Sequence, residues 1–161
     1  MSADQEQSRA RFSGLHAELS GIVLKTFYEV YNELGSGFVE SVYREAMRLA
    51  LGQANLKVEA EVPIQVRFRG EVVGVFRADL VVNDTVLIEL KASEGIIREH
   101  EAQTLHYLRA TSIEVALLMN FGPMPRFKRL VMDNKLKKLK EKSVSSVAIG
   151  VKPFVDAEVL S

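Results

Sequence analysis

The chain contains no cysteine. That excludes disulfides, thiolate metal sites and a cysteine nucleophile, and it suits a reducing compartment. No apolar run approaches the ~20 residues that cross a bilayer. The opening M-S-A-D-Q-E-Q-S-R-A-R lacks the apolar stretch of a secretory leader, so a cytoplasmic protein without membrane insertion is expected. Two catalytic signatures are also missing. There is no G-x-x-x-x-G-K-[ST] phosphate loop, which argues against nucleoside-triphosphate motor activity, and no G-x-S-x-G nucleophile elbow. Net charge is zero, but it is unevenly placed. Between Arg126 and Lys142, eight basic residues stand against Asp133 and Glu141, a local net of six positive charges. Such a run is read either as a nucleic-acid contact or as a solvated helix.

With 161 residues, 47% of them apolar, the chain has enough material for one globular core. Apolar residues from Leu15 to Leu34 recur at helical spacing, and Gly35-Ser36-Gly37 ends that helix. A second helix is expected from about Val39 to Ala54, with Val42, Ala46, Leu49 and Ala50 on its apolar face. From Val58 onward the pattern becomes β. Strands are expected at 58–68, 72–82 and 86–91, with turns at Arg69-Gly70-Glu71 and Asn83-Asp84-Thr85. The third strand, Val86 to Lys91, is apolar enough to be covered on both faces. A helix over 97–110, a buried strand over 113–120, a Gly-Pro-Met-Pro loop and a short strand over 127–132 complete the pattern. The order ααβββαββ describes an α/β fold, a mixed sheet flanked by helices. The expected organisation is a disordered N-terminal segment (1–14), one domain (15–132) and a basic C-terminal extension (133–161).

Three charges in this pattern need a reason. Asp79 lies in the second strand, and Glu89 and Lys91 lie in the third, among Val, Leu and Ile. Strand interiors select against such residues, and a buried charge is costly unless paired or metal-bound. Glu89 and Lys91, two apart, share a strand face. Whether Asp79 joins them depends on the turn. A two-residue loop pairs Val82 with Thr85 and turns Asp79 away. A three-residue loop pairs Val82 with Val86 and sets Asp79 opposite Glu89. If they meet, two carboxylates and a lysine suit a Mg²⁺ or Mn²⁺ phosphodiesterase centre, with Lys91 orienting or deprotonating the attacking water or stabilising the transition state. The plain alternative is a buried Glu89–Lys91 or Asp79–Lys91 ion pair.

Gly37-Phe38-Val39-Glu40-Ser41-Val42-Tyr43 reads G-x-x-E-x-x-Y. With R-A-D-L-V-V (77–82), I-E-L-K-A (88–92), H-E-A-Q-T-L-H-Y-L-R-A-T (100–111) and L-L-M-N-F-G (117–122), it resembles the GxxExxY family of the PD-(D/E)XK nuclease superfamily. The resemblance spans about Leu15 to Val131. It implies a nuclease-like fold with Asp79, Glu89 and the Leu90 carbonyl as metal ligands, Lys91 as the catalytic lysine and Glu40 as a further acidic residue near the metal. Gln103 and Tyr107 match a Q-x-x-x-Y motif that supports the site or the substrate strand. Their spacing puts them on one helix face with His100 one turn earlier. On their own, Tyr107 reads equally as a core aromatic, His100 as a partly exposed polar residue, Glu40 as a helix-dipole carboxylate and Tyr43 as packing. Tyr31 stands near the end of the first helix, where the family commonly has histidine.

The leading expectation is therefore a Mg²⁺- or Mn²⁺-dependent nuclease acting on DNA rather than RNA, with a homo-oligomer left open. A competing reading is a non-catalytic module that retains the fold and binds nucleic acid or protein, because the chain outside 126–142 is net acidic. A third is hydrolysis of a smaller phosphoester.

Overall fold

The computed structural model describes residues 12–137; the expectations for residues 1–11 and 138–161 lie outside them. The elements are α1 (Ala17–Leu34), α2 (Glu40–Gln53), β1 (Val58–Phe68), β2 (Glu71–Val82), β3 (Val86–Lys91), α3 (Arg98–Arg109), β4 (Val115–Phe121) and β5 (Pro125–Val131). The sheet order is β1-β2-β3-β4-β5. Only β3 and β4 run parallel, because only they are joined by a helical crossover. This is the expected mixed α/β sheet.

Alternation along β3 divides the core. Val86, Ile88 and Leu90 pack with α1 and α2, through Val23, Phe27, Tyr43, Met47 and Leu51. Leu87 packs on the opposite face with Tyr107 and Leu108 of α3. Helices therefore cover both faces, as the unbroken apolar run of β3 requires. The apolar face of α2 is rotated from the expected one. Its fully buried stripe is Tyr43, Met47 and Leu51, and Leu49 and Val42 are exposed. The four-residue spacing is the same, and the tertiary contact selects the larger side chains.

The basic run starts on a strand. Arg126, Lys128 and Arg129 lie on β5, and several of its charges are engaged internally. Lys128 pairs with Glu101 at 2.8 Å. Arg129 donates to the Leu15 carbonyl and lies over the Phe12 ring. Lys137 donates to the carbonyls of Thr111 at 2.9 Å and Ile113 at 2.6 Å. No helix among the described residues is long and apolar enough to cross a membrane.

Candidate active site

The β2–β3 connection is the three-residue loop that the chemistry demanded. Val82 pairs with Val86, and Asn83 and Asp84 take positive φ of 49° and 56°, a conformation these two residue types tolerate. Asn83 also anchors the start of β1, accepting the Lys57 N–H at 2.9 Å and donating its own to the Lys57 carbonyl at 2.8 Å.

Backbone pairing between β2 and β3 stops at Leu80–Ile88. At the next position the two carboxylates replace the ladder. Glu89 Oε1 accepts the Asp79 N–H at 3.1 Å, and Asp79 Oδ2 accepts the Leu90 N–H at 2.8 Å. Leu80 packs toward α1 and α2 while Ala78 packs toward α3, which a regular strand forbids. The strand thus rotates at Asp79, turning its carboxylate into the seam. Glu89 is only 4% exposed. Burial, and next the negative charge of Asp79, push its carboxyl up to about 8.

Lys91 forms neither of the ion pairs that the plain reading requires among the described residues. Its Nζ donates instead to Gln103 Oε1 at 3.0 Å, and Gln103 Nε2 donates to the Tyr107 hydroxyl at 3.0 Å. Q-x-x-x-Y is therefore a relay of hydrogen bonds that aims the lysine. Burial, and next the charge of Glu89, push the Tyr107 hydroxyl up to about 12, so it stays a neutral phenol. His100 is half-buried, with Nδ1 accepting the Ile97 N–H at 3.3 Å. Burial and then the Lys91 charge hold its ring below the usual histidine range. Glu40 is exposed in the first turn of α2. Its charge reaches Glu89 and His100 without a hydrogen bond to either among the described residues.

Arg44 and Glu61 escaped the sequence reading. Arg44 Nη1 lies 3.3 Å from Asp79 Oδ1, and its Nη2 lies 3.5 Å from Glu61 Oε1. Arg44 is one helical turn beyond Glu40, a signal that could have raised it. Glu61 could not be counted from the turn. With the Phe68–Glu71 pair at the hairpin end, a regular ladder sets Asp79 opposite Ala60. A bulge at Val66/Arg67 moves the register to the Ala60–Leu80 and Val62–Ala78 pairs, leaving Glu61 across from Asp79. Glu61 has φ of 52°, an unusual conformation for glutamate.

The tyrosine of G-x-x-E-x-x-Y is structural. The buried Tyr43 hydroxyl donates to the Gly35 carbonyl at 2.6 Å and accepts the Phe38 N–H at 3.2 Å, and its ring stacks on Phe121 at 4.2 Å. It fixes the loop that delivers Glu40. Tyr31 donates to the Pro123 carbonyl at 2.9 Å. Asn120, fully buried, clamps Ser93 through bonds of 3.0 and 2.9 Å to its N–H and carbonyl, holding the chain just beyond Lys91.

Among the described residues, no three His, Asp or Glu side chains close into a metal cage. A Mg²⁺-type ion needs only one or two carboxylates with water. Asp79 and Glu89 are hard oxygen donors of that kind, and a cation beside them would offset both the burial and the Asp79 charge that raise Glu89.

The sequence model of one family matches residues 17–130, from α1 into β5. The chain belongs to the PD-(D/E)XK nuclease superfamily. No curated protein matches it. Among solved structures, this superfamily member aligns with the crystal structure of SSO0001 at 18% identity and a TM-score of 0.45, over 88% of this chain and 69% of that one. It also aligns with the alkaline exonuclease LHK-Exo from Laribacter hongkongensis at 13% identity and a TM-score of 0.44, over 88% and 83% of the respective chains.

Proposed function

We propose that residues 15–132 form a Mg²⁺- or Mn²⁺-dependent nuclease domain that hydrolyses phosphodiester bonds, in DNA rather than RNA. One observation carries the reading: Asp79 and Glu89 meet at the opening between β2 and β3, beside a lysine aimed by its own hydrogen-bond relay. The motif around Glu40 and Tyr43 supports placing the chain in the GxxExxY family.

Asp79 and Glu89 would hold the ion. The Leu90 carbonyl is a third candidate, because N–H and C=O of one strand residue face the same edge and the Leu90 N–H faces Asp79. Bound there, a divalent ion supplies positive charge against the phosphoryl oxygens and acidifies water. Lys91 brings a fixed cation to the charge developing at phosphorus and can orient the attacking water. Gln103 and Tyr107 position Lys91, and Glu40 adds acidity at the rim. The non-catalytic alternative has one specific support. Arg44 already neutralises Asp79, as a site that no longer binds metal would need.

The test is cleavage of DNA oligonucleotides with Mg²⁺ or Mn²⁺ by wild type, Asp79→Ala and Lys91→Ala, with folding checked by circular dichroism. Each substitution should cost about 100-fold or more in rate. Cleavage at the wild-type rate in either variant removes that residue from the mechanism. Mn²⁺ binding unchanged in Asp79→Asn, measured by calorimetry, would overturn the ligand set.

A further inference from the structure

We propose that the outer end of the β1–β2 hairpin is an arm for single-stranded nucleic acid, with bases stacking on Phe68 and Phe76 and Arg69 gripping a phosphate. The inference rests on the nucleic-acid reading above and deepens it by naming where the strand lies.

β2 pairs with β3 only over Leu80 to Val82, so the hairpin runs on beyond the sheet, its two strands paired with each other. A two-stranded ribbon is marginal in water by itself, and this one displays apolar side chains. Phe68 is 40% exposed and Phe76 43%, and Val75, on the ribbon's other face, is 56% exposed. Singly exposed apolar residues are ordinary, but two large rings exposed on one face mark an interaction surface.

Charge and geometry select the occupant. Residues 65–77 carry Arg67, Arg69 and Arg77 against Glu71, a positive excess in a chain of zero net charge. Neither Arg69 nor Arg77 pairs with a carboxylate among the described residues. Phe76 pairs across the ribbon with Ile64, and the bulge's extra residue is on β2, so β1 alternates regularly from Ile64 to Phe68 and both rings share the face turned toward α3. The Arg69 guanidinium lies 5.0 Å over the Phe68 ring, bringing a cation to that same aromatic face. Arg67 donates to Gln65 Oε1 at 2.8 Å and the Gly70 carbonyl at 3.3 Å, bracing the tip. Aromatic platforms beside arginine are how sequence-tolerant proteins hold single strands.

The face leads into the site. The Phe76 and Tyr107 rings are 5.7 Å apart, and Tyr107 connects through Gln103 to Lys91. Phe76 is also three residues before Asp79 on one strand, about 10 Å along it. A strand stacked on the arm is thereby delivered to the carboxylates.

The test measures binding of a fluorescent single-stranded oligonucleotide in chelator, across a salt series, so that no cleavage interferes. Phe68→Leu and Phe76→Leu keep an apolar side chain, and each should weaken binding about tenfold, whereas Phe68→Tyr and Phe76→Tyr should restore it. Arg69→Ala should lower the slope of log affinity against log salt by about 0.7. Affinity and slope at wild-type values in all these variants overturn the arm while leaving the nuclease reading intact. Conversely, a wild type that binds but does not cleave fails the nuclease reading and leaves the arm supported if the variants weaken binding. If sedimentation shows a wild-type dimer that Phe76→Leu dissociates without loss of oligonucleotide affinity, the face belongs to a second copy and the proposal falls.

Discussion

Asp79 faces two competing partners. Its Oδ2 is committed to the Leu90 N–H and its Oδ1 to Arg44, so an arriving cation must displace or share with the guanidinium. A partly buried pair of this kind contributes about 1 kcal/mol, equivalent to about fivefold in binding. Arg44→Met should therefore raise Mn²⁺ affinity about fivefold by calorimetry; a fall would mean that Arg44 supports the ion. The lysine relay makes a graded prediction. Gln103→Ala removes the only hydrogen-bond acceptor described for Lys91 and should lower kcat about tenfold with KM nearly constant. Tyr107→Phe removes only Gln103's anchor and should cost less. Equal losses would contradict the relay. Asp79, Glu89 and Lys91 were legible as charges out of place in apolar strands. Arg44 was legible only as a neighbour of Glu40 one helical turn away; that it meets Asp79 was not, because a surface-helix arginine looks the same in sequence whether it faces solvent or a carboxylate.

Among the elements, β3 is held in place from both ends. At one end the Asn83–Thr85 loop sets the register that makes Asp79 meet Glu89. At the other, Asn120 and Gly122 of β4 and its exit fix Ser93. A Cβ at Gly122 would stand 2.0 Å from the Ser93 carbonyl oxygen, far inside contact distance and against backbone. Gly122→Ala should destabilise the fold by about 2 kcal/mol, as overpacking does, and lower activity by shifting the segment beyond Lys91; unchanged urea melts would refute that coupling. The start of the segment after β5 is also docked. Burial depresses Lys137 to about 8 from its ordinary 10.5. The folded protein then binds fewer protons than the unfolded chain between those values, so this group makes stability rise with pH from about 8 to 10.5. Lys137→Met should remove that rise in denaturant midpoints measured across the window, whereas parallel wild-type and variant curves would place Lys137 in solvent. The register of β2 and β3 could be derived from chemistry, since only an odd loop brings the carboxylates together. The β1–β2 register could not, because the extra residue is Val73 of β2, opposite the Val66–Arg67 step, and the neighbouring Gly74 hints at a bulge without saying how the ladder slips.

At the scale of the whole molecule, three layers bring the carboxylates together where two strands part and leave a long hairpin beyond them. A divalent ion that binds only the folded site should stabilise the domain by linkage, about 2.7 kcal/mol at 100 times its Kd. By thermal melts this is about 5–10 °C. Asp79→Asn should abolish the shift, and a shift that survives would place the ion elsewhere. The element order, the sheet class and the apolar β3 were set by hydrophobic periodicity and turn chemistry, which are local and therefore readable along the chain. Tertiary structure alone decided which face of α2 is buried, that Arg44 and Glu61 converge on Asp79, and that Phe76 touches the lysine relay. Those outcomes depend on packing between segments distant in sequence, where side-chain volume and a one-residue bulge outweigh any local preference.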